Sequence, residues 1–121
     1  MADGDGDVER FFEGSPRGLE LYRAIADRVS AIGPADVRVT KSQIAFRRRR
    51  GFAYVWRPGR YVRSDVPVVL SIALDRRLDS DRFKEVVHAA STRWMHHLEV
   101  SGVDQIDDEV SGWLAEGYER S

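Results

Sequence analysis

Apolar residues return at spacings of three and four through "SPRGLELYRAIADRVSAIGP". Leu19, Tyr22, Ile25, Ala26, Val29 and Ile32 make one stripe, which predicts a long first helix with a single buried face. Ser15 can accept hydrogen bonds from the first turn, Pro16 suits the first helical position, and Gly33-Pro34 stops the run. The period then falls to two. Val37 and Val39 alternate with Arg38 and Thr40, Ile44 and Phe46 with Ala45 and Arg47, and Phe52, Tyr54 and Trp56 with Ala53, Val55 and Arg57. Gly51 and Pro58-Gly59 mark turns.

"PVVLSIAL" is apolar almost throughout, as expected of a central strand covered on one face and partly on the other. A short helix opened by Asp79 or Ser80 is expected next, with Phe83, Val86 and Val87 inside. "RWMHHLEV" has strand character. A last helix over the acidic 103–119 segment carries Ile106, Val110, Trp113, Leu114 and Tyr118, and Ser101 with Asp104 resembles its capping box. Strands run together instead of alternating with helices. The fold class is therefore α+β: a largely antiparallel sheet of four to five strands with an N-terminal helix, a short internal helix and a C-terminal helix. Leu19, Tyr22, Ile25, Val29, Phe46, Leu70, Ile72, Trp113 and Leu114 are expected in the core.

The 121 residues and the 42% hydrophobic fraction suit one domain with a real core. Residues 1–7 are small, polar and acidic and read as a disordered tail, leaving 8–121 as the domain. Cysteine is absent, which excludes disulfides and thiolate metal sites. The start of the chain lacks the basic and apolar runs of a secretory signal, and no apolar run approaches a membrane span, so the expected address is cytoplasmic, with no membrane partner.

The net charge of −1 hides two poles. Residues 37–63 hold nine Lys/Arg and no acid, whereas residues 99–121 hold seven acids and one Arg. Within the basic pole, "AFRRRRGFAYVWRPGRYVR" interleaves seven arginines with five aromatics. Arginine forks pair with phosphates and aromatic faces stack on bases, so Arg47, Arg49, Arg57, Arg60 and Trp56 are the candidate contacts to an anionic partner, nucleic acid among them. Alternation can also split this run between two faces, and the arginines can meet the chain's own acids at 103–119.

His96 and His97 are adjacent in a strand and face opposite sides, so they are poor co-ligands for one metal. Helix-start acids such as Asp104, Asp107 and Asp108 are explained by capping and the helix dipole. Ser42, Ser71, Ser91 and Ser111 show no activating context along the chain. No metal, cofactor or catalytic residue is assigned.

The segments "FFEGSP", "IAFRRRRGFAYV", "RWMHHLEV" and "VDQIDDEVSGWLAEGYERS", in this order, resemble the bacterial domain-of-unknown-function family numbered 5655 over about residues 9–119. Gly117 stands where that family usually has Ala. Members occur alone or attached to predicted transport or nuclease-like proteins. The resemblance implies a fold and carries no reaction, so no catalytic residue transfers.

The function expected on these grounds is a small binding or accessory domain without catalysis, whose basic sheet region contacts an anionic partner. One alternative is an enzyme acting on a small anionic substrate through His96 or His97. Another is a self-associating module, a homodimer, because an edge strand such as Val37–Thr40 can pair between chains.

Overall fold

The structure, a computed structural model, describes residues 2–121, with side chains from residue 6 onward. It is α+β: helices α1 (Ala2–Phe11), α2 (Pro16–Ile32) and α3 (Asp108–Arg120) and strands β1 (Asp36–Val39), β2 (Ile44–Arg47), β3 (Gly51–Trp56), β4 (Val68–Leu74), β5 (Glu85–Ala90) and β6 (Arg93–Val100). The sheet is antiparallel throughout, in the order β1-β2-β3-β4-β6-β5. Much of the acidic stretch 1–7, expected as a tail, lies outside the residues whose side chains are described.

Two expectations about the elements are corrected. The sheet has six strands, not four to five. No internal helix forms over 83–90; that segment is the edge strand β5, paired to β6 from Glu85–His97 to Ala90–Arg93. Its backbone groups are satisfied by the neighbouring strand, a non-local partner that outweighs a weak local helical preference.

α2 begins as expected. The Ser15 hydroxyl accepts from the Gly18 N–H at 3.1 Å, and Pro16 follows. Gly18 is required there, because a Cβ would lie 2.7 Å from the Ser15 Oγ and 2.8 Å from the Phe12 ring. The cap of α3 differs from expectation. Asp107, not Ser101, accepts from the Val110 N–H at 3.1 Å. Ser101 and Gly102 instead donate backbone N–H to the Gln105 side chain around a short 3-10 turn.

The register sorts side chains onto two faces. The row Val37, Phe46, Ala53, Ile72, His96, Val86 faces the helices. Tyr22 of α2 stacks on Phe46, ring centroids 5.7 Å apart, and Leu21, Ile25 and Leu114 are fully buried in the same layer. Of the expected core, Leu19 is only partly buried, since Leu21 takes the inward position. β3 carries a bulge: Phe46 faces Ala53 and Arg47 faces Gly51, so Phe52 is the extra residue. The bulge turns the Phe52 ring onto Tyr118 of α3 in an edge contact. The opposite row, Ala45, Tyr54, Ser71, His97, Glu85, lies on the face without helices.

Candidate functional site

That second face holds a cup of about 480 Å³, floored by Ser71, Met95 and His97 and walled by Tyr54, Trp56, Tyr61 and Arg93. Its size falls within the range of small-molecule sites. The floor is a chain of polar contacts. The Trp56 indole N–H donates to the Ser71 Oγ at 3.0 Å, and that oxygen lies 2.6 Å from the His97 Nδ1. An indole N–H only donates, so the serine accepts from it, and its own hydroxyl proton is left to reach the histidine. In the tautomer that accepts it, His97 Nδ1 is the acceptor and the ring proton sits on Nε2. Burial holds the His97 pKa below the ordinary value, against the pull of Glu85 across on β5.

Arg93 is the cation of the cup. Its Nη2 donates to the Gly51 carbonyl at 2.8 Å and to the Tyr54 hydroxyl at 2.9 Å. Among the described residues it makes no ion pair, so its charge is held in place without being neutralised. Gly51 makes this arrangement possible, because a Cβ there would fall 2.1 Å from the Tyr54 hydroxyl oxygen. The rings add an apolar, π-rich wall. Trp56 lies with its centroid 6.4 Å from Tyr61 and 6.3 Å from His97, edge-on to the latter. Tyr61 is 57% exposed, a large aromatic left at the rim.

The candidate arginines separate. Arg48, Arg49 and Arg50 turn at one end of the sheet, and Arg57 and Arg60 lie at the other, beyond β3. Six strand residues place these groups about 20 Å apart. Arg47 lines a groove between α2 and β1 on the helix side. Arg48 lies over the Tyr118 ring, 4.5 Å from its centroid. Arg57 and Arg60 both donate to the Phe11 carbonyl, at 3.0 and 2.8 Å, closing the C-terminal end of α1, and Arg60 also covers the Phe11 ring. Burial, with Arg60 alongside, lowers the Arg57 pKa.

The acids of 103–119 do not neutralise this run. Arg82 holds Asp107 and Glu109, Arg28 holds Asp108, and Arg76 holds Glu116 through two bonds of 2.9 Å.

His96 is not in the cup. It is fully buried on the helix face, against Phe83. Trp56 and His97 are thus the sequence-named residues that the cup contains. Tyr54, Ser71 and Arg93 were not named as binding residues from sequence. A single serine inside the otherwise apolar "VVLSIAL" was the available signal for one of them. Among the described residues no group of three His, Asp or Glu side chains could hold a metal ion, and no helix is long and apolar enough to cross a membrane.

No curated protein and no solved structure is significantly similar to the chain. A family model does match it, over residues 8–121, and covers both the cup and the helices behind it. The chain belongs to the family described as Domain of unknown function (DUF5655).

Proposed function

We propose that the domain is a non-catalytic binding module whose cup takes a planar aromatic group with a negative charge beside it, the pairing that a nucleotide presents. The observation that carries this reading is the placement of an ion-pair-free Arg93 beside Tyr54, Trp56 and Tyr61 in one concavity. Aromatic faces accept any base by stacking, and a guanidinium fork suits a phosphate. His97, with Nε2–H as the donor, adds a hydrogen bond for a polar ring edge. Cytoplasmic residence is part of the proposal; the lack of cysteine fits a reducing compartment.

Calorimetric titration tests it with nucleoside monophosphates, a nucleoside, ribose 5-phosphate and a short unstructured oligonucleotide. The nucleotide should bind more tightly than either of its halves, and Trp56→Ala should weaken it by about tenfold, the equivalent of one lost stacking contact. No heat from any of the four at about 1 mM, a concentration that would reveal even millimolar affinity, would remove the reading.

One contact favours a second reading, catalysis through His97. The Ser71 Oγ lies 2.6 Å from a histidine nitrogen, as in an activated nucleophile. Ser71 is however only 2% exposed and already receives the Trp56 N–H, so a substrate must displace neighbours to reach it. Covalent capture of Ser71 by a fluorophosphonate, lost in His97→Gln, is the result this reading requires.

A further inference from the structure

We propose that β1 is a self-pairing edge through which two copies of this chain join their sheets, antiparallel and centred on Val37. The argument starts from hydrogen-bond parity. The Thr40 N–H donates to the Gln43 carbonyl at 2.9 Å, so residues 40 and 43 form a hydrogen-bonded pair at the end of the β1–β2 ladder. Such pairs alternate along an antiparallel ladder. Arg38–Ala45 and Asp36–Arg47 are therefore the bonded pairs, and the backbone groups of Val37 and Val39 point away from β2. They lie at the sheet edge, and among the described residues no other backbone partner meets them.

A second copy placed antiparallel with Val37 opposite its own Val37 satisfies these groups. Val37 pairs with the partner's Val37, and Ala35 and Val39 pair with the partner's Val39 and Ala35. In that register, and no neighbouring one, Asp36 stands opposite the partner's Arg38 and Arg38 opposite the partner's Asp36. These are close, non-hydrogen-bonded positions, where opposite charges stabilise a sheet and like charges oppose it. Asp36 and Arg38 are both exposed and form no ion pair within the chain among the described residues. Val37 is an exposed apolar side chain at 45%.

The twofold axis of this pairing stands perpendicular to the sheet, so the helices of both copies lie on the same side. The grooves between α2 and β1 then meet. Each is lined by Tyr22, Ala26 and Val37 and carries Arg23 and Asp27, one turn apart on α2. The apolar floor of one groove continues into the other, while Arg23 reaches Glu9 of its own chain at 3.9 Å. The opposite edge lacks this quality. β5 is interrupted by a bulge at Ala89, the kind of irregularity that blunts an edge against pairing. β1 is regular.

Sedimentation equilibrium across a concentration series tests the proposal. The expected result is a reversible monomer–dimer equilibrium with a dissociation constant of about 10 µM to 1 mM, because so short a ladder gives a small interface. Val37→Pro removes an outward N–H and no bond of the β1–β2 ladder, so it should abolish the dimer and leave the melting temperature within a few degrees. Asp36→Arg and Arg38→Asp should each weaken the dimer at least tenfold through like charges, and the double exchange should restore it. The restoration reads the register and stands even if the proline variant folds poorly. A chain that stays monomeric to about 1 mM, a dimer indifferent to Val37→Pro, or a double exchange that fails to recover association would overturn the proposal.

Discussion

His96 and His97 occupy opposite faces of β6, and each has a ring nitrogen bound by a neighbour. The Leu78 N–H donates to His96 Nε2 at 3.0 Å, so the His96 proton sits on Nδ1 and points at the Ile72 carbonyl, 3.2 Å away. In His97 it is Nδ1 that meets a neighbour, the Ser71 Oγ at 2.6 Å. Burial lowers both pKa values below the ordinary histidine value, in His96 against opposing hydrogen bonds from Ile72 and Trp94. The unfolded chain then takes up protons first, at about pH 6.5, the unperturbed value. Their contribution to stability is complete above that pH and is lost as pH falls toward the folded values. Melting temperature should therefore drop between about pH 7 and 5. His96→Gln and His97→Gln should each flatten that slope, and an unchanged profile in both would contradict the assigned protonation. Ser71 shows why the site was only partly legible. Its partner lies 26 residues away and meets it only through the β4–β6 register. An isolated serine in an apolar strand could be noticed, but its histidine could not be identified without the pairing.

Helix α3 separates what periodicity reveals from what it conceals. The stripe Val110, Trp113, Leu114 was readable, because burial follows the helical repeat, and Leu114 is fully enclosed. Leu114→Ala should cost about 2–5 kcal/mol in chemical denaturation, the range for an enclosed leucine. The start of the helix was misplaced because both Ser101 and Asp107 are good caps and only tertiary contacts choose between them. Asp107 receives the Val110 N–H and is gripped by Arg82, which also holds its pKa down. Asp107→Ala should thus lose about 0.5–2 kcal/mol, the usual cost of a cap, whereas Ser101→Ala should stay within about 0.5 kcal/mol. Equal losses in the two would restore Ser101 as the cap. β5 was concealed more fully. It is exposed along most of its length, so neither face imposes an alternation for the eye to find. Its sequence contains helix formers, and its strand identity comes from β6. Gly117 lies buried on the inner side of α3. A Cβ there would meet the Ala73 carbonyl oxygen at 3.2 Å, so α3 lies close against β4 at this point.

Across the whole molecule, positive charge is distributed instead of gathered. The run that is continuous in sequence is carried by β3 from one end of the sheet to the other, and Asp107, Asp108, Glu109 and Glu116 are held by arginines from elsewhere. This layout predicts how salt should act. Four arginines on one face would give a log–log slope of binding against salt near −3 on single strands. A ligand held in the cup meets Arg93 alone, and its slope should be about −0.7. Arg49→Ala should then leave oligonucleotide affinity and melting temperature nearly unchanged. Arg57→Ala and Arg60→Ala should act on the fold, because their bonds to Phe11 hold the end of α1, and a hydrogen bond from a charged donor contributes about 1.5–3 kcal/mol. Paired titrations and melts of these three variants distinguish the two layouts. If Arg57→Ala keeps its melting temperature but flattens the salt slope by about one unit, the arginine reaches phosphate, and the binding surface extends well beyond the cup.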